Sequence, residues 1–254
     1  MKLLAKLFFS LIFLIIIIVA VAYFSFNTTK PRNLGITYTP ADLTSGRDKS
    51  QIKYDLISQA ESSGSPWLPY GQRQVDTSFS SSEITAIMNS KPGIFYPYKN
   101  VQVKFNADGS AEISGQLIKS RIPIYASTFD CPKIAVDIVM RFLPENPVFY
   151  LKGKASLVEN KVDVFQPLKF EIGRIPMPLN LILASYSFPQ PAYALDLDGL
   201  ISEISTVTNK RQIIIDFINS RLSNVPGFYA QKADFSDNQL NYQGTLPEGE
   251  RIVQ

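Results

Sequence analysis

The chain has 254 residues, enough for one large domain or two small ones, and 45% of them are hydrophobic, as in ordinary globular proteins. Its 25 Lys and Arg nearly balance 22 Asp and Glu, which argues against nucleic acid, a partner that needs a basic field. His is absent and Cys131 is the single cysteine, which removes His-based acid–base chemistry, the Ser-His-Asp triad, nearly all zinc enzymes and any internal disulfide scaffold.

Residues 1–6 form a short tip carrying Lys2 and Lys6. Leu7–Phe26, LFFSLIFLIIIIVAVAYFSF, follows without a charge, Pro or Gly. As a helix rising about 1.5 Å per residue, it would cross the hydrocarbon layer of roughly 30 Å. The lysines before it favour a cytoplasmic N-terminus, and Lys30 and Arg32 after it weaken that bias. Ala20-Val21-Ala22 offers a signal-peptide cleavage site. The aromatic continuation through Tyr23, Phe24 and Phe26 favours an uncleaved anchor instead. The expectation is a single-pass cell-membrane protein whose main domain lies outside the cytoplasm.

Residues 27–40 are polar with two prolines and read as a tether, and 41–254 as one extracytoplasmic domain. Residues 41–62 have room for one or two short helices, and 63–72 is loop chemistry. Ser80 and Glu83 stand at capping-box spacing before ITAIMN and predict a helix over about 81–89. From Val101 the apolar period is two, and Asp108-Gly109 signals a hairpin to Ile113 and Leu117. Ile134–Phe142, Phe149–Leu157 and Val162–Ile172 alternate in the same way and predict further antiparallel strands, apolar on one face and largely solvated on the other.

Ile175–Leu195, IPMPLNLILASYSFPQPAYAL, is uncharged, but four prolines stop it from spanning a bilayer as a helix. It is expected to leave the sheet at Gly173, form a short helix near Leu179–Ser185 and shield one end of the apolar layer. Leu197, Leu200, Ile201, Ile204, Val207, Ile214, Ile215, Ile218 and Leu222 recur at helical spacing and predict a long amphipathic helix, or two consecutive ones, covering the sheet. GFYAQKADF and LNYQGTL flank a final turn.

Little in this chain carries reaction chemistry. Ser50 and Lys53 fit a Ser-x-x-Lys spacing without its companion motifs. Asp196-Leu-Asp198-Gly199 is a fragment of a calcium loop that suits helix capping better. No enzymatic role, metal or cofactor is expected.

Three stretches carry a family resemblance: FSSSEITAIMN, FEIGRIPMPLNLIL, and a helix leading to a hairpin that closes on LNYQGTLPE. Over about residues 78–246 the chain resembles the YpmS-like bacterial proteins, which have one N-terminal membrane anchor and an extracytoplasmic domain. More distantly it is similar to tubular lipid-binding domains, in which a curved sheet wraps a long helix around an apolar channel. The expected fold is therefore α+β: an N-terminal transmembrane helix, then a curved antiparallel sheet packed on a long C-terminal amphipathic helix. The expected function is binding of lipid or another apolar ligand at the membrane, with Phe95, Tyr96, Leu181, Ile182, Leu183, Tyr186 and Phe188 as candidate ligand contacts. A ligand-free structural or interaction protein of the cell envelope is the alternative.

Overall fold

The computed structural model describes residues 28, 30–53, 67–90, 96–123, 126, 133–176 and 210–252. Leu7–Phe26, Cys131 and all of Ile175–Leu195 beyond Pro176 lie outside them. The first helix, α1 (Pro40–Ser50), starts with Pro at its first position and a capping box between Thr39 and Asp42. Among the described residues, β1 (Trp67–Tyr70) pairs only with β10 (Gly249–Ile252), as a separate two-stranded ribbon. The region expected to be loop thus contains a strand, and the polar C-terminal stretch supplies its partner.

β2 (Arg73–Ser80) runs straight into α2 (Ser81–Ser90). The capping box forms as expected: Glu83 N–H donates to Ser80 Oγ at 3.1 Å, and Ser80 N–H to Glu83 Oε2 at 2.7 Å. β3 (Tyr98–Phe105) and β4 (Ser110–Leu117) form the expected hairpin. Gly109 takes φ +74° in its turn, and Asp108 Oδ1 accepts from the Ser110 amide and hydroxyl. The long hairpin of β5 (Val148–Val158) and β6 (Lys161–Ile172) closes on Glu159 and Asn160, both left-handed at φ +51° and +58°. The last hairpin is β8 (Tyr229–Ser236) with β9 (Gln239–Leu246).

Three expectations need correction. Lys133–Phe142 is a helix, α3, and not a strand. Its apolar residues alternate, but Ile134, Ile138 and Phe142 also follow a four-residue period. A short apolar run fits both patterns, and the eleven residues between Pro132 and Pro144 favour a helix. At Gly173 the chain does not leave the sheet but turns through Gly173-Arg174 into β7 (Ile175–Pro176), which pairs with Glu171 and Ile172.

The third correction concerns the architecture. The described residues form a mainly antiparallel sheet with short helices, and no long C-terminal helix underlies it. The described C-terminal helix, α4 (Lys210–Asn224), has 15 residues and lies against β6. Helical spacing shows which residues share a face and not which surface they meet. No helix among the described residues is long and apolar enough to cross a membrane.

β5 is the hub of the sheet. One of its edges pairs with β6 along Phe149–Val158. The other pairs with β4 over Val148–Lys154 and with β8 at Leu157 and Val158. Two arms therefore meet on it, β3–β4 and β2–β9–β8. Each arm has its own buried cluster, one around Val75, Phe79, Ala230, Ala233 and Tyr242, the other around Val101, Val103 and Phe105. Ile84 of α2 and Leu240 of β9 pack on both. The arms also touch directly, where the Phe105 and Phe235 rings stack at 5.2 Å and the Asn238 amide donates to the Phe105 carbonyl at 3.2 Å.

The outer edge of β3 would expose unpaired amides and carbonyls. α2 covers it with side chains spaced by four residues. Phe105 N–H donates to Ser81 Oγ at 3.0 Å, Val103 N–H to Thr85 Oγ1 at 2.9 Å and Val101 N–H to Asn89 Oδ1 at 2.9 Å. Asn89 Nδ2 and Thr85 Oγ1 return bonds to the Val101 and Val103 carbonyls at 2.7 and 3.3 Å. Four helical residues rise about 6 Å and two strand residues about 6.6 Å, so the two repeats stay in step. Replacing Thr85 by Val keeps the shape and strands the buried Val103 amide. T85V should lower unfolding stability by about 1–3 kcal/mol, read from the urea midpoint. A loss below about 0.5 kcal/mol would show that the helix merely adjoins the edge.

Candidate functional site

Of the candidate ligand contacts, only Tyr96 lies among the described residues. It is 4% exposed, with its ring 5.6 Å from that of Tyr98, and so belongs to the core and lines no open surface. Phe95, Leu181, Ile182, Leu183, Tyr186 and Phe188 lie outside the described residues. Ser50 is buried, with its hydroxyl donating to the Arg47 carbonyl, and Lys53 lies beyond the helix end in an isolated bridge to Gly249.

The sequence reading passed over the polar face of β3–β4–β5–β6 as solvated surface. The register places Lys104, Glu112, Lys152 and Lys169 in one row across four strands. The next row is Gln102, Ser114, Tyr150 and Glu171. The segment expected to be a tether lies over these rows. Arg32 forms a forked ion pair with Glu171, with contacts of 2.8 and 2.9 Å, and its guanidinium stands 4.7 Å over the Tyr150 ring. The Leu34 amide donates to Gln102 Oε1, and Ser82 donates to the Thr37 carbonyl at 2.9 Å. Arg174, projected from the β6–β7 turn, donates to the Lys30 carbonyl at 3.0 Å.

The electrostatics of the face follow from this packing. Burial pushes the Glu171 carboxyl up, but Lys169 and Arg32 outweigh it and hold the group below the usual carboxylate value. Glu112 behaves likewise, with burial opposed by hydrogen bonds from Tyr150, Asn106 and Lys152. The Tyr150 hydroxyl is pushed up to about 12 by burial and by Glu112, so it stays protonated and donates to Glu112 at 2.7 Å. Between this strap, Lys30–Tyr38, and the sheet lies a depression of about 340 Å³, bounded by Arg32, Asn33, Lys104, Glu112, Tyr150 and Arg174.

The apolar exposure is elsewhere. Of six exposed large apolar side chains among the described residues, Leu151, Val158, Val164 and Leu168 sit on β5 or β6. Leu168 is the residue skipped by the register shift opposite Lys152 and Gly153. Alternation alone does not show a bulge, so the sequence placed Leu168 with the inward residues. The cross-strand charge row was recoverable only by aligning Lys104, Glu112 and Lys152 through the β3–β4 turn and the long connection 118–147 at once.

No protein-family model matches the chain, and no curated protein or solved structure is significantly similar to it. The likeness to the YpmS-like proteins thus stands on the sequence motifs alone.

Glu171 gives a pH test. Its folded value is depressed, so the stability it contributes is full above the unfolded value of 4.5 and is lost as pH falls through the folded value. E171Q should cost about 1–2 kcal/mol at pH 7, a modest figure because Arg32 is about a third exposed and water screens it. The difference between E171Q and wild type should shrink as pH falls below 4.5. A constant difference in urea midpoints down to pH 3 would contradict the ion-pair account.

Proposed function

We propose that this domain is a non-enzymatic extracytoplasmic module that binds lipid or another amphiphile at the membrane where the apolar run Leu7–Phe26 would hold it. The observation that carries this reading is the concentration of Leu151, Val158, Val164 and Leu168 on one hairpin. By the register, Val158 and Val164 share the face of Lys152 and Lys169, whereas Leu151 lies on the opposite face; exposed apolar side chains are where apolar partners make contact. Lys152, Lys154, Lys161 and Lys169 interleave with these residues along the same two strands. Apolar side chains among flexible cations suit a partner with an apolar body and an anionic or zwitterionic head.

The alternative, an interaction protein of the envelope without a ligand, draws on the same hairpin. Among the described residues, β6 pairs with β5 and, only at Glu171 and Ile172, with β7. Its outer edge suits strand addition by another protein, although the Asn219 side chain already accepts from the Val162 amide at 2.7 Å.

Native mass spectrometry of the full chain released from neutral detergent separates the readings. Wild type should retain lipid, and V164D/L168D should retain markedly less. These sites are exposed, so each substitution should cost no more than about 0.5 kcal/mol. Equal lipid retention by wild type and variant would overturn the binding-module reading.

A further inference from the structure

We infer that the depression between the strap and the polar face takes up the phosphate of an anionic phospholipid headgroup. The inference rests on the membrane reading above and adds the chemistry of the ligand's polar end. Around the depression, Arg32, Lys104, Lys152, Lys169 and Arg174 face two carboxylates, Glu112 and Glu171. Three of the cations are committed. Arg32 and Lys169 hold Glu171 at 2.8 and 2.9 Å, and Lys152 holds Glu112 at 3.3 Å. The Glu112 carboxylate also accepts from Tyr150 and Asn106, so both acids have donors enough.

Lys104 and Arg174 are left over. Lys104 makes no ion pair among the described residues, and Arg174 directs one nitrogen to the Lys30 carbonyl, leaving the rest of its fork open. Both line the depression, whose 340 Å³ falls at the lower end of small-molecule sites, roughly 300–1,000 Å³. Two uncompensated cations in a concave site favour a compact anion with several acceptor oxygens, which a phosphate ester supplies.

One further observation agrees. Arg174 holds φ +67° at the second position of a two-residue turn, where Gly or Asn is usual, so an arginine sits there in a strained conformation.

Position selects the lipid headgroup as the source of that phosphate. Lys30, whose carbonyl holds Arg174, lies four positions after Phe26, the end of the apolar run. Four residues reach at most about 14 Å. With Leu7–Phe26 in the bilayer, Arg174 therefore stands at headgroup depth, where the surface potential of anionic lipid attracts it.

The test uses the full chain in neutral detergent, titrated by calorimetry with short-chain phosphatidylglycerol, short-chain phosphatidylcholine and inorganic phosphate. The variant is K104Q/R174N, since Asn accepts a left-handed backbone at the turn. Phosphatidylglycerol should bind saturably, more tightly than either other probe, and the variant should bind it at least about tenfold more weakly. If the double variant melts early through loss of the Arg174 tie to Lys30, K104Q alone should still weaken binding. Equal affinity of wild type and K104Q for phosphatidylglycerol would overturn the site. Inorganic phosphate binding as tightly as the lipid would overturn the headgroup assignment and leave a free-phosphate site. V164D/L168D tests the apolar reading separately, because it should weaken both lipids and leave inorganic phosphate unaffected.

Discussion

The fold depends on how one sheet edge is closed. β3 ends an arm of the sheet and carries the buried apolar side chains of Val101, Val103 and Phe105. Its outward amides cannot stay unpaired there, because a buried donor without a partner costs about 1–3 kcal/mol. α2 supplies the partners as Ser81, Thr85 and Asn89, a polar stripe on the inner side of a helix. Placing the helix there has further consequences. Ile84 reaches both apolar clusters and so joins the two arms of the sheet. Glu83, 5% exposed, is held by Lys49 and Ser45 of α1, which fixes the first helix on the second. Gly46 lies so close to Ile87 that an added Cβ would stand 2.8 Å from its Cδ1.

A second clamp works on the opposite side of the sheet. The strap Lys30–Tyr38 crosses the polar face and is tied at both ends, by Arg174 and Glu171 near its start and by Ser82 near its end. It leads directly into the capping box of α1. Strap, α1, α2 and β3 therefore form one continuous chain of contacts. The clamp explains why cations gather at the strap's start, where they neutralise the nearly buried Glu171 and crowd the adjacent depression.

Much of this was legible locally. The capping box at Ser80 and Glu83, the Asp108-Gly109 turn and the three hairpins follow from short-range chemistry, and the structure shows each of them. What depended on partners at long range was not legible. Ser81, Thr85 and Asn89 look like a solvated stripe, because a polar residue facing a strand edge has the same sequence signature as one facing water. Ile134–Phe142 satisfied both periods, and α3 took the helical one. The residues around Ile214 and Ile218 are helical, but this helix lies against β6 and the expected long amphipathic helix under the sheet is not found among the described residues. The site was less legible still: Arg32 and Glu171 lie 139 residues apart, and each alone reads as an ordinary surface charge.

Hydrogen–deuterium exchange of the full chain, compared between lipid nanodiscs and neutral detergent, tests the central claim most directly. The account places the membrane-facing surface on the β5–β6 hairpin and the start of the strap. Amides of 151–168 and 30–34 should therefore exchange more slowly in nanodiscs containing anionic lipid. Val101, Val103 and Phe105, bonded to α2, should be slow in both settings. Protection confined to other segments, or none at all along β5–β6, would contradict the account.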